Sequence, residues 1–167
     1  MNKLNKLNDS EYLKAKEYVF RSLTCHDQTE WEIRRKLKQR GYQSETADAV
    51  IALLQEYNYI NDLRYTEQYI ASHCERWNRR KILEHLCAKG IHAENCIDYY
   101  LEQYQYDEEA LLVREMNKYI RNKNLSDGRI REKVIAYFLQ KGYSYTMIQT
   151  ILKEMIVVCK EEVMENE

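Results

Sequence analysis

Proline is missing altogether, glycine occurs only four times in 167 residues, and no apolar stretch is long enough to cross a bilayer as a helix. So few chain breakers exclude an architecture of short strands and tight turns. They suit long helical tracts with exposed charged faces, as do 32% charged and 44% hydrophobic residues. An apolar signal core is also lacking at Met1-Asn2-Lys3-Leu4-Asn5-Lys6, so a cytoplasmic protein without membrane contact is expected. The five cysteines (Cys25, Cys74, Cys87, Cys96, Cys159) are odd in number, scattered and never spaced C-x-x-C, which argues against a disulfide framework and for reduced thiols.

Catalytic signatures are equally scarce. The chain has no glycine-rich phosphate loop, no G-x-S-x-G, no H-E-x-x-H, and no histidine in a nucleophile context. No enzyme and no cofactor are expected, and Glu108-Glu109 reads as acid favouring a helix start. His73, Cys74, His85, Cys87, His92 and Cys96 supply donors for a metal, but none has the spacing of a structural zinc site.

What is present is a repeat. Gly41, Gly90 and Gly142 stand 49 and then 52 positions apart. Eight residues before each lies Ile33, Ile82 or Val134, and four before lies Leu37, Leu86 or Phe138, one face of a helix. A cation precedes each glycine (Arg40, Lys89, Lys141) and an apolar or aromatic residue follows (Tyr42, Ile91, Tyr143). This is the pattern of a helix end: a positive charge at the negative pole, glycine in the left-handed conformation, and a side chain folded back on the last turn.

A second amphipathic helix follows each glycine. Its stripe is Ala47, Val50, Ile51 and Leu54 in the first unit, Cys96, Tyr99 and Tyr100 in the second, and Ile148, Ile151, Leu152 and Met155 in the third. A further helix precedes each, through Tyr12, Ala15, Val19 and Leu23, through Tyr69, Ile70 and Cys74, and through Leu112, Met116, Tyr119 and Ile120. Thr29-Glu30-Trp31-Glu32 fits a capping box, Asn78 and Ser126 fit the corresponding caps, and Asp62 and Asp107 stand where the second and third units begin.

The expected fold is all-α: three tandem three-helix repeats, residues 9–60, 61–106 and 107–163, stacked into an elongated, curved array. Units this small bury little core alone, so neighbours are expected to lend surface to one another, and the three glycines to sit in like surroundings.

A net charge of −1 argues against a general nucleic-acid coat, but the charge is segregated. Residues 30–41 carry five basic and two acidic side chains, whereas 154–167 carry five Glu against one Lys. Arg34, Arg35, Lys38 and Arg40 fall off the Ile33/Leu37 stripe and face solvent or a partner. Arg76, Arg79, Arg80 and Lys81 cluster at a helix start, where cations oppose the helix dipole. That arrangement is easier to understand if an anion docks nearby, although acids from a neighbouring unit would serve equally. Lys89, like Arg40 and Lys141, is accounted for by the helix end. Most of the fifteen tyrosines are expected to fill thin cores, and Trp31 and Trp77 to pack between units or anchor an interface.

Across about residues 10–156 the chain resembles the RecX family. The run Tyr59-Ile60-Asn61-Asp62, then Arg64-Tyr65, Tyr69-Ile70, Ile82, Leu86 and Lys89-Gly90-Ile91, is similar to the family pattern Y-L-D-D, R-F and I-x-x-x-L-x-x-K-G-I. Glu32-Ile33 with Lys36-Leu37, and Lys133-Val134 through Phe138-Leu139-Gln140-Lys141-Gly142-Tyr143, resemble its first and last repeats. The resemblance implies a monomeric regulator whose partner is the RecA filament on DNA, with weak direct DNA contact, altering RecA ATP hydrolysis and strand exchange. Arg34, Arg35, Lys38, Arg40, Arg76, Arg79, Arg80, Lys81 and Lys89 are the candidate contacts. Two other readings stay open: a helical module binding DNA independently of RecA, which steep salt dependence would reveal, and a general protein-interaction scaffold.

Overall fold

Apolar residues at helical spacing, interrupted only at caps and glycines, produce helices throughout. The computed structural model describes residues 9–24 and 26–164; Met1–Asn8, the Cys25 and Cys159 side chains and the end of the acidic tail lie outside it. Among the described residues there are nine helices and no strand. They are α1 (Asp9–Leu23), α2 (Glu30–Gln39), α3 (Ser44–Glu56), α4 (Asp62–His73), α5 (Arg79–Ala88), α6 (Ile97–Gln103), α7 (Glu108–Ile120), α8 (Gly128–Lys141) and α9 (Tyr145–Met164).

The buried side chains form three separate clusters. One gathers Ala15, Val19, Ile33, Leu37, Ala47, Val50, Ile51 and Leu54 around α1, α2 and α3. Another gathers Ile70, Cys74, Ile82, Leu86, Ala93, Ile97 and Leu101 from α4 to α6. The last centres on Met116, Phe138, Tyr143, Ile148 and Ile151 from α7 to α9.

In the second unit the buried stripe lies one residue off the expected one. Ala93, Ile97 and Leu101 point inward, while Tyr99 is 63% exposed and Cys96 and Tyr100 are half-buried. The α6 helix is only seven residues long, so aliphatic size decided its orientation over the polar-tipped tyrosines.

All three glycines end their helices the same way. Gly41, Gly90 and Gly142 have φ of +80°, +77° and +98°. In each case the glycine N–H donates to the carbonyl three residues back, and the next N–H donates to the carbonyl five back: Tyr42 to Leu37, Ile91 to Leu86, Tyr143 to Phe138. The unit junctions repeat the same closure without glycine, with Asn58 at φ +56° and Gln105 at φ +51°. At the N-termini, Thr29 completes its capping box and Asn78 and Asn61 accept from the third helical N–H. Asp127 rather than Ser126 caps α8, accepting from Arg129 N–H.

The units are joined by polar bonds that occur twice in equivalent places. The Thr29 hydroxyl donates to the Lys89 carbonyl at 2.7 Å, and the Asn78 side-chain amide donates to the Lys141 carbonyl at 2.8 Å. One residue into each helix, the Glu30 N–H donates to Asp62 (3.0 Å) and the Arg79 N–H to Glu108 (3.2 Å). One residue further, Trp31 covers Gly90 and the Arg80 stem covers Gly142, so closely that a Cβ on either glycine would lie 2.3 or 2.4 Å from them. The surface lent between units is therefore largely hydrogen-bonding, with Trp31 the apolar exception.

Gly41 differs from its two counterparts: among the described residues nothing lies within 4 Å of its Cβ position.

Two stability measurements test this arrangement. Asn78→Asp keeps an acceptor for the cap but loses the donor that reaches Lys141; thermal and urea unfolding should show a loss of about 1–2 kcal/mol. Gly41→Ala should cost about 1 kcal/mol for the left-handed backbone alone, whereas Gly90→Ala should cost clearly more, since the Trp31 Cβ blocks the added methyl.

Candidate functional site

The nine candidate cations do not form one patch; the helices sort them into three chemical situations. Four are neutralised within the chain. Arg34 bonds Asp48 at 2.5 Å and Glu30 at 2.9 Å. Arg79 makes a two-pronged bond to Asp98, with its Nε at 2.7 Å and the terminal nitrogen at 3.0 Å. Arg80 pairs with Glu84 one turn on at 2.8 Å, and Lys89 with Glu32 across the first joint at 2.6 Å. Three lie on aromatic faces: Arg35 over Trp31 (4.6 Å), Arg40 over Tyr18 (3.9 Å) and Lys81 over Trp77 (4.2 Å). Among the described residues Lys38 and Arg76, both exposed, have neither an ion pair nor an aromatic seat.

Cations at the start of α5 therefore have an internal explanation. Asp98 comes from α6 of the same unit and Glu84 from α5 itself, while Glu108 from the next unit and the Tyr106 hydroxyl accept the Arg79 N–H. Burial pushes the Tyr106 phenol well above its ordinary range, with Glu108 adding to the effect, so it stays neutral.

A mixed-charge cleft of about 300 Å³ lies at the second joint, lined in part by Arg76, Trp77, Lys81, Glu84, Glu115 and Lys141. Lys141 is held there by Glu115 at 2.8 Å, while Arg76 and Lys81, the latter with its ammonium over the Trp77 ring, line the same opening.

Beside the first joint lies a group the sequence did not announce. The Tyr69 ring stacks on His73 (4.2 Å) and on His85 (4.1 Å), and Trp77 meets Tyr69 edge-on at 5.8 Å. Burial lowers the His85 pKa, with Lys89 and His73 adding to the effect, so the ring is neutral at pH 7. The Tyr69 hydroxyl is buried without a partner among the described residues, and burial raises its pKa. Spacing i, i+4 on α4 (Tyr65, Tyr69, His73) and along α5 (Trp77, Lys81, His85, Lys89) was the available signal. Trp77 thus packs within its unit, and Trp31 between units. Among the described residues no three His, Cys, Asp or Glu side chains come together as a metal site, and no helix is long and apolar enough to cross a membrane.

With this geometry in place, the comparisons align along most of the chain. Residues 15–54 match the family profile described as RecX, first three-helix domain, and residues 107–152 that of RecX, third three-helix domain. The chain is 30% identical over 152 residues to the regulatory protein RecX of Clostridium perfringens strain SM101, spanning 89% of this chain and 72% of that one. It is 30% identical over 155 residues to the Clostridium acetobutylicum protein of the same name, with the same coverage of both chains. Among solved structures, RecX from Lactobacillus salivarius superposes with a TM-score of 0.67 at 22% identity, covering 89% of this chain and 99% of that one.

The first joint carries its own pH dependence. Burial works to raise the Glu32 pKa, but hydrogen bonds from Lys89 and the Thr29 N–H, with the charges of Lys89 and Lys36, outweigh it and hold it below its ordinary value. A lowered folded-state pKa means stability that is present above the unfolded value, about 4.3, and lost as pH falls through the folded one. Wild type should therefore exceed Glu32→Gln in unfolding free energy by about 1 kcal/mol or more at pH 6, with the difference shrinking below about pH 4. A pH-independent difference would reject the ion pair as its source.

Proposed function

The chain belongs to the RecX family, and from that premise we propose that it is a non-enzymatic regulator that binds the RecA recombinase filament on DNA and restrains its ATP hydrolysis and strand exchange. Its relatives bear the name regulatory protein RecX, and the likeness runs from the first unit through the third. That register along the chain is the observation carrying the reading: a protein of jointed units, 9–60, 61–106 and 107–163, spreads contacts along an extended, curved face. The protein acts as a monomer in the cytoplasm.

The geometry narrows the contact residues. Arg34, Arg79, Arg80 and Lys89 serve the fold first, because their charges are already met by Asp48, Asp98, Glu84 and Glu32. Arg35, Lys38, Arg40, Arg76 and Lys81 are the cations left to meet an acidic recombinase surface or phosphate. Arg76 and Lys81 at the second joint are the best placed pair, since both line one cleft and neither is held by a carboxylate. They also favour a weak direct contact with DNA phosphate as a secondary reading.

Added to RecA on single-stranded DNA at up to equimolar amounts, the purified protein should lower DNA-dependent ATP hydrolysis. Arg76→Glu with Lys81→Glu should weaken that effect by at least about tenfold in the concentration required, with helicity by circular dichroism unchanged. No effect of the wild-type chain on RecA would sink the proposal. An unchanged double variant would move the contact surface elsewhere.

A further inference from the structure

Each joint uses one surface repeatedly: the end of a unit's middle helix, with its cation, its left-handed glycine and the aromatic or apolar residue behind it. Lys89-Gly90-Ile91 receives the first turn of α2, and Lys141-Gly142-Tyr143 receives the first turn of α5. The third copy, Arg40-Gly41-Tyr42, has the same backbone closure and receives no helical turn among the described residues. Beside it lies an open cleft of about 530 Å³ lined by Lys14, Glu17, Tyr18, Arg21, Ser22, Arg40 and Tyr42.

The charges in that cleft specify what would fill it. Aligned on the buried pairs Ala15/Val19, Thr66/Ile70 and Leu112/Met116, the position just before the second residue of each pair is Tyr18, Tyr69 and Glu115. In the third unit Glu115 neutralises Lys141 from within. In the second, Tyr69 cannot, and the acid arrives from the incoming helix as Glu32, third residue of its first turn. The first unit has Tyr18 in that place, beneath Arg40 and again no acid; Glu17 is taken by Arg21, and neither Arg40 nor Lys14, which lines the same cleft, has a carboxylate partner among the described residues. Two cations thus flank a helix end whose counterparts each hold a capped helical turn.

We propose that the Arg40-Gly41-Tyr42 end of the first unit is a docking site for the N-terminal turn of a helix in a partner protein, carrying a hydroxyl or amide cap and an acid at its third position. A hydroxyl cap donates to the Arg40 carbonyl as Thr29 does to Lys89, and the acid meets Arg40 and Lys14. A second copy of this chain is a poor occupant. Its free turn, at the start of α8, is capped by Asp127, which can only accept, followed by Gly128, Arg129 and Ile130, which bring a cation rather than an acid. The site does not depend on RecA being the partner.

The probe is a cross-linked helical peptide beginning Gln-Thr-Glu-Trp-Glu, the first turn of α2, and continuing in alanine and glutamine, titrated into the isotope-labelled full chain by NMR. Saturable amide shifts are expected at Lys14, Arg40, Gly41 and Tyr42, with Gly90 and Gly142 unmoved. Replacing the peptide's third-position Glu by Lys, or Arg40→Glu in the chain, should weaken binding by about fivefold or more, while Arg40→Lys should stay within about threefold. The peptide variant gives the same answer if the Arg40→Glu chain misfolds. The proposal is overturned by no saturable shift, by equal shifts at Gly90 or Gly142, or by equal affinity of the charge-reversed peptide. Self-association of the chain through Arg40–Tyr42 without peptide would also overturn it. A negative peptide titration beside intact RecA inhibition would discard this site and leave the regulatory reading standing.

Discussion

Two hydrogen bonds set the geometry on which the array depends: Thr29 to the Lys89 carbonyl and Asn78 to the Lys141 carbonyl. A helix end pressed against protein leaves backbone groups without water, and each must find a partner. Here one side chain satisfies two ends. Its oxygen accepts from its own helix, at Glu32 N–H or Lys81 N–H, while its hydroxyl or amide hydrogen reaches the last carbonyl of the next unit's helix. Thr and Asn can do both; Asp, an equally good cap, cannot. Asp127 shows the single duty: among the described residues it accepts from the Arg129 N–H of its own helix and reaches no second helix end.

The same joints account for the distribution of charge. The cations before Gly90 and Gly142 complement the negative helix pole, and at a joint they also meet a carboxylate, Glu32 or Glu115. Arg79 and Arg80, at the unfavourable pole of α5, are held by Asp98 and Glu84. Half of the Arg76, Arg79, Arg80, Lys81 cluster is thereby consumed by the fold. Exposed single pairs of this kind add little stability each, and their effect is to leave a smaller, more specific set of cations facing outward.

Much of this is legible in the sequence. The glycine register, the capping box at Thr29 and the buried stripes of the first and third units depend on local chemistry, which a sequence displays directly. Ser126 was a reasonable cap but lost to Asp127, the stronger acceptor one residue on. The α6 stripe was misplaced because Cys96, Tyr99 and Tyr100 mimic an apolar face, and only packing could favour Ile97 and Leu101. The joints were invisible for a different reason. The partners of Thr29 and Asn78 lie 60 and 63 residues away and are backbone carbonyls, which carry no sequence signal. The pairing of Arg79 with Asp98, an ordinary-looking acid on a short helix, was hidden in the same way.

The separation of the three apolar clusters gives the joints their consequence. Each unit buries its own core, from Leu37 and Leu54 in the first to Phe138 and Ile151 in the third, so the apolar contribution to stability is largely internal to units. Orientation between units rests instead on a few directional polar bonds, a salt bridge and the Trp31–Gly90 contact. Apolar burial is nearly indifferent to small rotations, whereas a cap bond fails when donor and carbonyl misalign by a modest angle. Substitutions at the joints can thus alter how the units are set against one another at a cost of about one bond each, without opening any core. The fold of each unit and the setting of one unit against the next are encoded in different residues.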